Sequence, residues 1–246
     1  MTNQAQQFNR YEFKYPMPDA LAAGIKTLVL RYGMQPDFIA EQRPENSYPV
    51  TSLYFDSPVL GDYYEKAGGF LWRKKIRVRI YTPTLTEKTP EIWFEKKAKY
   101  NMRVAKSRIL LSLEEYPMLL NGSRTALLRH CNKTDRARDI IYTIIREQMK
   151  PNLVVRYKRA PLVARGSADF RVTFDSAIET CFSHDLCYTP AMKNVHPGVT
   201  VMEVKFGTIL PSWFKDILRR YNLERASFSK YTNSLETLRV YNPLPR

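Results

Sequence analysis

The feature of this chain that most constrains its fold is the phase of its charges. Side chains alternate faces along a β-strand with period two. Over Lys75–Ile80, Lys75, Arg77 and Arg79 fall on one face and Ile76, Val78 and Ile80 on the other. Glu95 and Lys97 share a face with Trp93, opposite Ile92 and Phe94, and Lys106 shares a face with Arg108. Arg171, Thr173 and Asp175 oppose Phe170, Val172 and Phe174, and Glu203 and Lys205 oppose Met202, Val204 and Phe206. Tyr157 falls with Arg159, and near the start Arg10, Glu12 and Lys14 oppose Tyr11 and Phe13.

A polar face on one antiparallel strand is ordinarily just its solvated side. Here seven strands repeat the arrangement, and Lys and Arg outnumber Asp and Glu on those faces. Two residues apart on a strand, Arg77 and Arg79 sit about 6–7 Å from each other. Like charges at that distance repel by roughly 2–3 kcal/mol at an effective dielectric near 20. An anion between them reverses that cost, and the guanidinium fork matches phosphate oxygens in bidentate fashion. Glu12 and Glu203 interrupt these faces. Either they neutralise neighbouring cations, or they hold a divalent metal that bridges phosphate oxygens.

The remaining periodicities place helices around the strands. The pattern predicts a strand over Phe8–Tyr15 and a helix opened by Pro18 and Asp19, with Leu21, Ile25, Leu28 and Tyr32 inward and Gly33 as its stop. A strand over Val50–Asp56 and a short helix over Pro58–Lys66 follow. Lys75–Tyr81, Glu91–Tyr100 and Arg103–Leu111 then read as an antiparallel meander. Helices are expected at Glu114–Leu120, Arg124–His130 and Arg136–Met149, the last capped by Thr134 or Asp135 with a stripe of Ile140, Ile141, Ile144 and Ile145. Pro151–Val163 and Phe170–Asp175 read as a hairpin around Gly166–Ser167, and Ser183–Gly198 as an irregular connection. A strand at Thr200–Phe206 precedes two helices, one from Pro211 with Phe214, Ile217, Leu218 and Tyr221 inward, one after Ser227 or Ser229 with Tyr231, Leu235 and Leu238. No βαβ alternation is present, so the class is α+β with an antiparallel sheet, in one domain spanning 1–246.

A net charge of +15 calls for an anionic partner. Nucleic acid is the generic reading, but Phe13, Phe94, Phe170, Phe174 and Phe206 oppose the basic groups instead of joining them, which favours an enclosed site. The three cysteines, Cys131, Cys181 and Cys187, leave one unpaired in any disulfide scheme. With a polar N-terminus, that suits a reduced cytoplasmic setting. No run approaches the roughly 18 apolar residues of a membrane helix, so membrane contact is expected to be peripheral or through a membrane-protein partner. Cys181, His184, Cys187 and His196 have spacings that could seed a zinc site, but no paired Cys-x-x-Cys supports one. Walker-type, dinucleotide-binding and nucleophile-elbow motifs are absent.

The ordered set of motifs resembles the VTC catalytic domain, a polyphosphate polymerase module of the CYTH, or triphosphate tunnel metalloenzyme, superfamily. The matching segments are RYEFKY (Arg10–Tyr15), SLYFDS (Ser52–Ser57), RKKIRVRIY (Arg73–Tyr81), WFEKKAK (Trp93–Lys99), VAKSRI (Val104–Ile109), RYKRAPL (Arg156–Leu162), RVTFDS (Arg171–Ser176), VMEVKF (Val201–Phe206) and SFSKYTNSL (Ser227–Leu235). The resemblance implies a tunnel of about eight antiparallel strands with helices packed around it. Lys14, Arg77, Arg79, Lys97, Lys106, Arg159, Arg171 and Lys230 would be phosphate ligands, with Arg108 on the same face as Lys106. Of these, Lys14, Arg77, Arg79 and Lys97, together with Lys205, would bear on the transferred group. Glu203, with Glu12, would hold Mn²⁺ or Mg²⁺. The implied substrates are ATP or another triphosphate and polyphosphate, with no nucleic acid. The superfamily opens Glu-x-Glu-x-Lys, whereas Arg10 stands here at the first Glu, which leaves Glu12 either on metal or paired with a cation.

Overall fold

A computed structural model describes residues 11–101, 103–122, 127, 134–165 and 167–241. The expected helix at 124–130, the Gly166 turn, Arg10 and Cys131 lie outside the described residues, Leu127 excepted. Ten antiparallel strands form one sheet: β1 (Tyr11–Pro18), β2 (Met34–Pro36), β3 (Tyr48–Asp56), β4 (Trp72–Ile80), β5 (Ile92–Tyr100), β6 (Arg103–Leu111), β7 (Lys150–Ala164), β8 (Ser167–Phe182), β9 (Lys193–Asn194) and β10 (Val199–Phe206). Eight of them run in the order β1-β10-β8-β7-β3-β4-β5-β6, while β2 pairs with β7 and β9 with β8. The helices are α1 (Asp19–Arg31), α2 (Phe38–Glu41), α3 (Gly61–Ala67), α4 (Glu115–Leu120), α5 (Asp135–Arg146), α6 (Ser212–Arg220) and α7 (Lys230–Tyr241), with a 3₁₀ turn at Pro44–Asn46.

The sheet is curled. β1 and β5 stand near opposite ends of the strand order, yet the Lys97 ammonium of β5 donates to both carboxylate oxygens of Glu12 on β1, at 2.7 and 2.9 Å. β1 and β6 are not hydrogen-bonded to each other, so the wall is wrapped but not closed.

The period-two pattern assigns the faces. On the outside, Ile76, Val78 and Ile80 of β4 and Phe94 of β5 pack under α4 and α5, with Tyr116, Leu119, Ile140, Ile141 and Ile144. On the other half, Phe170, Val172, Phe174, Met202, Val204 and Phe206 pack under α1 and α6, with Ile25, Val29, Phe214 and Ile217. Each fully buried side chain of this kind stabilises by about 1.5–3 kcal/mol. A third core lies inside the curl, where Tyr231, Leu235 and Leu238 of α7 meet Tyr48, Val50 and Tyr54 of β3 and Leu153, Val155 and Tyr157 of β7. The C-terminal helix therefore fills part of the interior with apolar groups and leaves the rest to the charges.

Local chemistry explains most boundaries. Thr134 caps α5 by accepting from the Ala137 amide, and Gly33 ends α1 at φ 85°, a conformation that suits a residue without Cβ. Asp37 caps α2 by accepting from Ala40 N, but nothing in the periodicity marks so short a helix. The sequence pattern needs three corrections. The helix expected from Pro58 begins at Gly61. Ile145 is 40% exposed and Tyr32 54%, so the buried stripes use Ala137 and Val29. β8 runs on to Phe182, because a bulge at Ala177 (φ 48°) switches the alternation and lets both Asp175 and Ile178 face inward. No helix among the described residues is long and apolar enough to cross a membrane.

Candidate functional site in the curled sheet

The strand register stacks the inner side chains into cross-strand rows. On β4–β5–β6 the rows are Arg73–Lys99–Val104, Lys75–Lys97–Lys106, Arg77–Glu95–Arg108 and Arg79–Trp93–Leu110. On β1–β10–β8 they are Glu12–Lys205–Arg171 and Lys14–Glu203–Thr173, with Asp175 beside Val201. β7 contributes Arg159 opposite Asp175, and β3 contributes Tyr54 and Ser52 opposite Arg77 and Arg79. The first turn of α7 adds Lys230.

Four carboxylates organise these cations. Glu95, 1% exposed, takes Arg77 Nε and Nη2 at 2.8 and 2.7 Å, Lys106 Nζ at 2.5 Å and Arg79 Nε at 4.0 Å. Burial opposes its ionisation, but Arg77, Arg79 and Lys106 prevail and hold its carboxyl far below the usual range. Asp175, fully buried, accepts from both Arg159 nitrogens at 2.7 Å and from Lys230 at 2.6 Å, and its pKa falls to about 2 despite burial. Glu203 pairs with Lys205 at 2.8 Å, and Glu12 with Lys97. For Glu12, desolvation and the Glu203 charge push the pKa up, but Lys97, Lys205 and Lys14 outweigh them and hold it at about 2. Glu203 is likewise held well below the usual carboxylate range, against burial, by Lys205, Lys14 and Arg159. All four are anions at neutral pH.

Hydroxyls and rings fix the guanidinium groups. Arg77 donates to Tyr54 OH at 3.0 Å, and Arg79 donates to Ser52 Oγ and Tyr157 OH at 3.2 Å. Arg108 lies over the Trp93 ring, 4.2 Å from its centroid, and Lys230 lies 4.6 Å from that of Tyr157. Lys75 reaches Thr232 and the Tyr231 ring of α7. Desolvation pushes its pKa down to about 8, against the pull of Tyr54. Lys106 is lowered to about 7 by desolvation, with Arg77 and Arg79 adding to it and Glu95 opposing. Tyr54 goes the other way from what burial alone would do: Arg77 and Arg79 bring its phenol down to about 8.

The family model for the VTC domain matches residues 9–239. The chain belongs to the VTC domain family. No match was found among curated proteins. Among solved structures, the PH1819 protein of Pyrococcus horikoshii is 14% identical over 94% of this chain and 99% of its own, with a TM-score of 0.50, a likeness of fold alone. A candidate adenylyl cyclase from Hippeastrum, described as revealing a dominant triphosphatase activity, is 15% identical over 96% and 98% of the two chains, with a TM-score of 0.49. A candidate adenylate cyclase of Bacillus halodurans is 13% identical over 92% and 96%, with a TM-score of 0.48.

Within this VTC domain, Lys14, Arg77, Arg79, Lys97, Arg159, Lys205, Lys230, Glu12 and Glu203 all come to the inner face. Lys106 and Arg108 lie on the edge strand β6 and are exposed, and Arg171 turns to the Asp37 carboxylate at 2.7 Å. Lys75, Glu95 and Asp175 sit on faces that the alternation had already selected, but no motif singled them out. Asp37 carried no sequence signal, because its partner Arg171 lies 134 positions away, while Ser52 and Tyr54 fall in the SLYFDS segment but were not singled out as site residues. His184 faces the Pro151 carbonyl and His196 the Asn233 amide, each at 2.9 Å, and Cys181 is buried while Cys187 is exposed.

Proposed function

We propose that this VTC domain binds a triphosphate in the curled sheet and carries out metal-dependent phosphoryl transfer, making polyphosphate from ATP. The observation that supports it is the concentration of Lys14, Lys75, Arg77, Arg79, Lys97, Arg159, Lys205 and Lys230 around one interior, with Lys106 and Arg108 at its edge, against the carboxylates of Glu12, Glu95, Asp175 and Glu203. Phosphoryl transfer asks little covalent chemistry of a protein. It asks for in-line positioning and for neutralised charge on the equatorial oxygens. Arg77 and Arg79, oriented by Tyr54, Ser52 and Tyr157, present fixed forks to those oxygens, while Lys97 beside them and Lys14 and Lys205 from the facing wall supply mobile charge. The terminal oxygen of the growing chain attacks the γ-phosphorus, the bond from that phosphorus to the bridging oxygen breaks, and ADP leaves with the electron pair.

Glu12 and Glu203 fit a Mg²⁺ or Mn²⁺ ion: one half-buried and one buried, both are ionised hard-oxygen donors on adjacent strands. Among the described residues no group of three His, Cys, Asp or Glu converges, so phosphate oxygens and water would complete the shell, as is usual for Mg²⁺. When bound, the ion polarises the phosphoryl group.

Hydrolysis is the second reading. The Hippeastrum neighbour is described as having triphosphatase activity, and the same lining serves water as the nucleophile. Incubation with ATP and Mn²⁺ followed by a gel stained for polyphosphate separates the two. A ladder is expected; free phosphate without a ladder identifies a hydrolase, and binding without turnover a polyphosphate-binding module. The reading includes no nucleic-acid partner and a cytoplasmic setting.

A further inference from the structure

Arg159 and Arg171 lie on the neighbouring strands β7 and β8, and their guanidinium groups are held differently. Arg159 donates through Nε and Nη2 to both oxygens of Asp175, each at 2.7 Å. Arg171 donates through Nη2 to one oxygen of Asp37 at 2.7 Å, and its Nε is buried with no acceptor. A guanidinium fork meets a carboxylate or a phosphate best through two parallel bonds, so Arg171 has part of its fork to spare.

The carboxylates Glu12, Glu95, Asp175 and Glu203 stand on strands of the sheet. Asp37 does not. It opens the connection from β2 to β3, residues 37–47, which carries α2 and the 3₁₀ turn. Its other oxygen accepts from Ala40 N at 2.9 Å and caps α2. Tyr48, buried where β3 begins, feels Asp37, Arg159 and Arg171 together. Desolvation and the Asp37 charge raise its pKa to about 12, against the pull of the two arginines. Asp37 therefore stands among the inner cations. Little apolar packing holds its connection in place: Ala40 is buried, but Phe38 is 76% exposed and Ile39 55%. The far end is tied by an ion pair between the exposed side chains of Glu45 and Lys158. An element with so few buried contacts opens at low cost.

We propose that Asp37 is a built-in competitor for phosphate: it holds Arg171 in the free protein, an incoming triphosphate takes the guanidinium from it, and the connection over residues 37–47 loosens in exchange. The inference rests on the reading that the curled sheet binds triphosphate. Phosphate wins the exchange because it offers oxygens to Nε and Nη2 at once, and because Lys205, opposite Arg171 in the register, draws the same anion.

A double-mutant cycle tests it, with tripolyphosphate Kd measured by calorimetry at fixed salt. Asp37→Asn removes the charge and keeps a side-chain oxygen that caps a helix as well as Asp does. It should tighten binding about 10-fold, the scale of one hydrogen bond to a charged group. In an Arg171→Gln background, which itself binds about 10-fold more weakly, the same change should alter Kd by less than about twofold, since only screened charge is removed. Glu45→Gln, which frees the other end of the connection without touching Arg171, should leave Kd unchanged. Amide hydrogen exchange over residues 38–47 of the wild type should quicken when tripolyphosphate is added. Weaker or unchanged binding by Asp37→Asn overturns the competition and makes Asp37 a support for Arg171. An equal gain without Arg171, an equal gain in Glu45→Gln, or exchange over 38–47 that fails to quicken overturns it too. Failure of wild type and Asp37→Asn alike to bind tripolyphosphate is a different result: it overturns the tunnel reading and takes the competition with it.

Discussion

The two walls of the curled sheet carry opposite charge arrangements. On β1, β10 and β8 the carboxylates Glu12, Glu203 and Asp175 equal in number the cations Lys14, Lys205 and Arg171, although Arg171 turns to Asp37. On β4, β5 and β6, Glu95 is the only carboxylate among Arg73, Lys75, Arg77, Arg79, Lys97, Lys99, Lys106 and Arg108. The difference divides the labour. The basic wall is short of anions and gains most from a bound phosphate chain. The balanced wall gains nothing from more negative charge, but its two carboxylates Glu12 and Glu203 give a cation a place to sit between wall and phosphate. Asp175 stands apart, because it is fully buried and locked between Arg159 and Lys230.

The largest effect expected from this contrast is on stability. Asp175→Asn strands two buried cations and should cost about 3–5 kcal/mol, read from urea unfolding. Lys99→Gln, on the basic wall, should change stability by less than about 0.5 kcal/mol or raise it. Equal costs at the two positions would break the comparison.

Next comes turnover. Glu203→Gln keeps shape and removes charge, and should lower Mn²⁺-dependent turnover by about 10²-fold or more while triphosphate binding is kept or tightened. If Lys205 is the only cation Glu203 serves, the fold should suffer instead, and the Mn²⁺ titration should match wild type.

Binding on the basic wall is the third test. Arg77→Ala should weaken triphosphate affinity by about 1.5–3 kcal/mol in calorimetry. It should also destabilise the free protein, since buried Glu95 loses two of its N–H donors. A variant that loses stability but binds normally would make Arg77 structural.

The smallest effect is in pH. Lys106 and Lys75 titrate near 7 and 8 in the folded chain, well below an unfolded lysine. Between those values and the unfolded pKa, the unfolded state binds more protons, so the stability of the free protein should rise with pH across that window. Triphosphate favours the protonated amines, so its affinity should fall over the same window by at most about tenfold per pH unit for each lysine, with up to one proton taken up per lysine on binding. Calorimetry at pH 8 in buffers of different ionisation enthalpy reads that uptake, and Lys106→Gln should remove its lower part. Affinity that is flat from pH 7 to 9 would place both lysines away from the phosphates.

The sequence by itself determined the faces. Alternation is a local property of extended backbone, so Arg77 and Arg79 had to lie opposite Val78 and Ile80 wherever the strand went. Glu203 with Lys205, and Arg171 with Thr173, follow by the same rule. Helix caps such as Thr134 are equally local. The tertiary structure decided which of those faces meet. The Lys97–Glu12 contact joins residues 85 positions apart, and Lys230 reaches Asp175 from a helix that no strand periodicity covers. The bulge at Ala177, which turns Asp175 and Ile178 to the same side, is a break in the alternation that the pattern alone cannot anticipate. Only the curl turns seven separately amphipathic strands into one interior, because burying both outer faces under helices leaves the charged sides nowhere to go but toward each other.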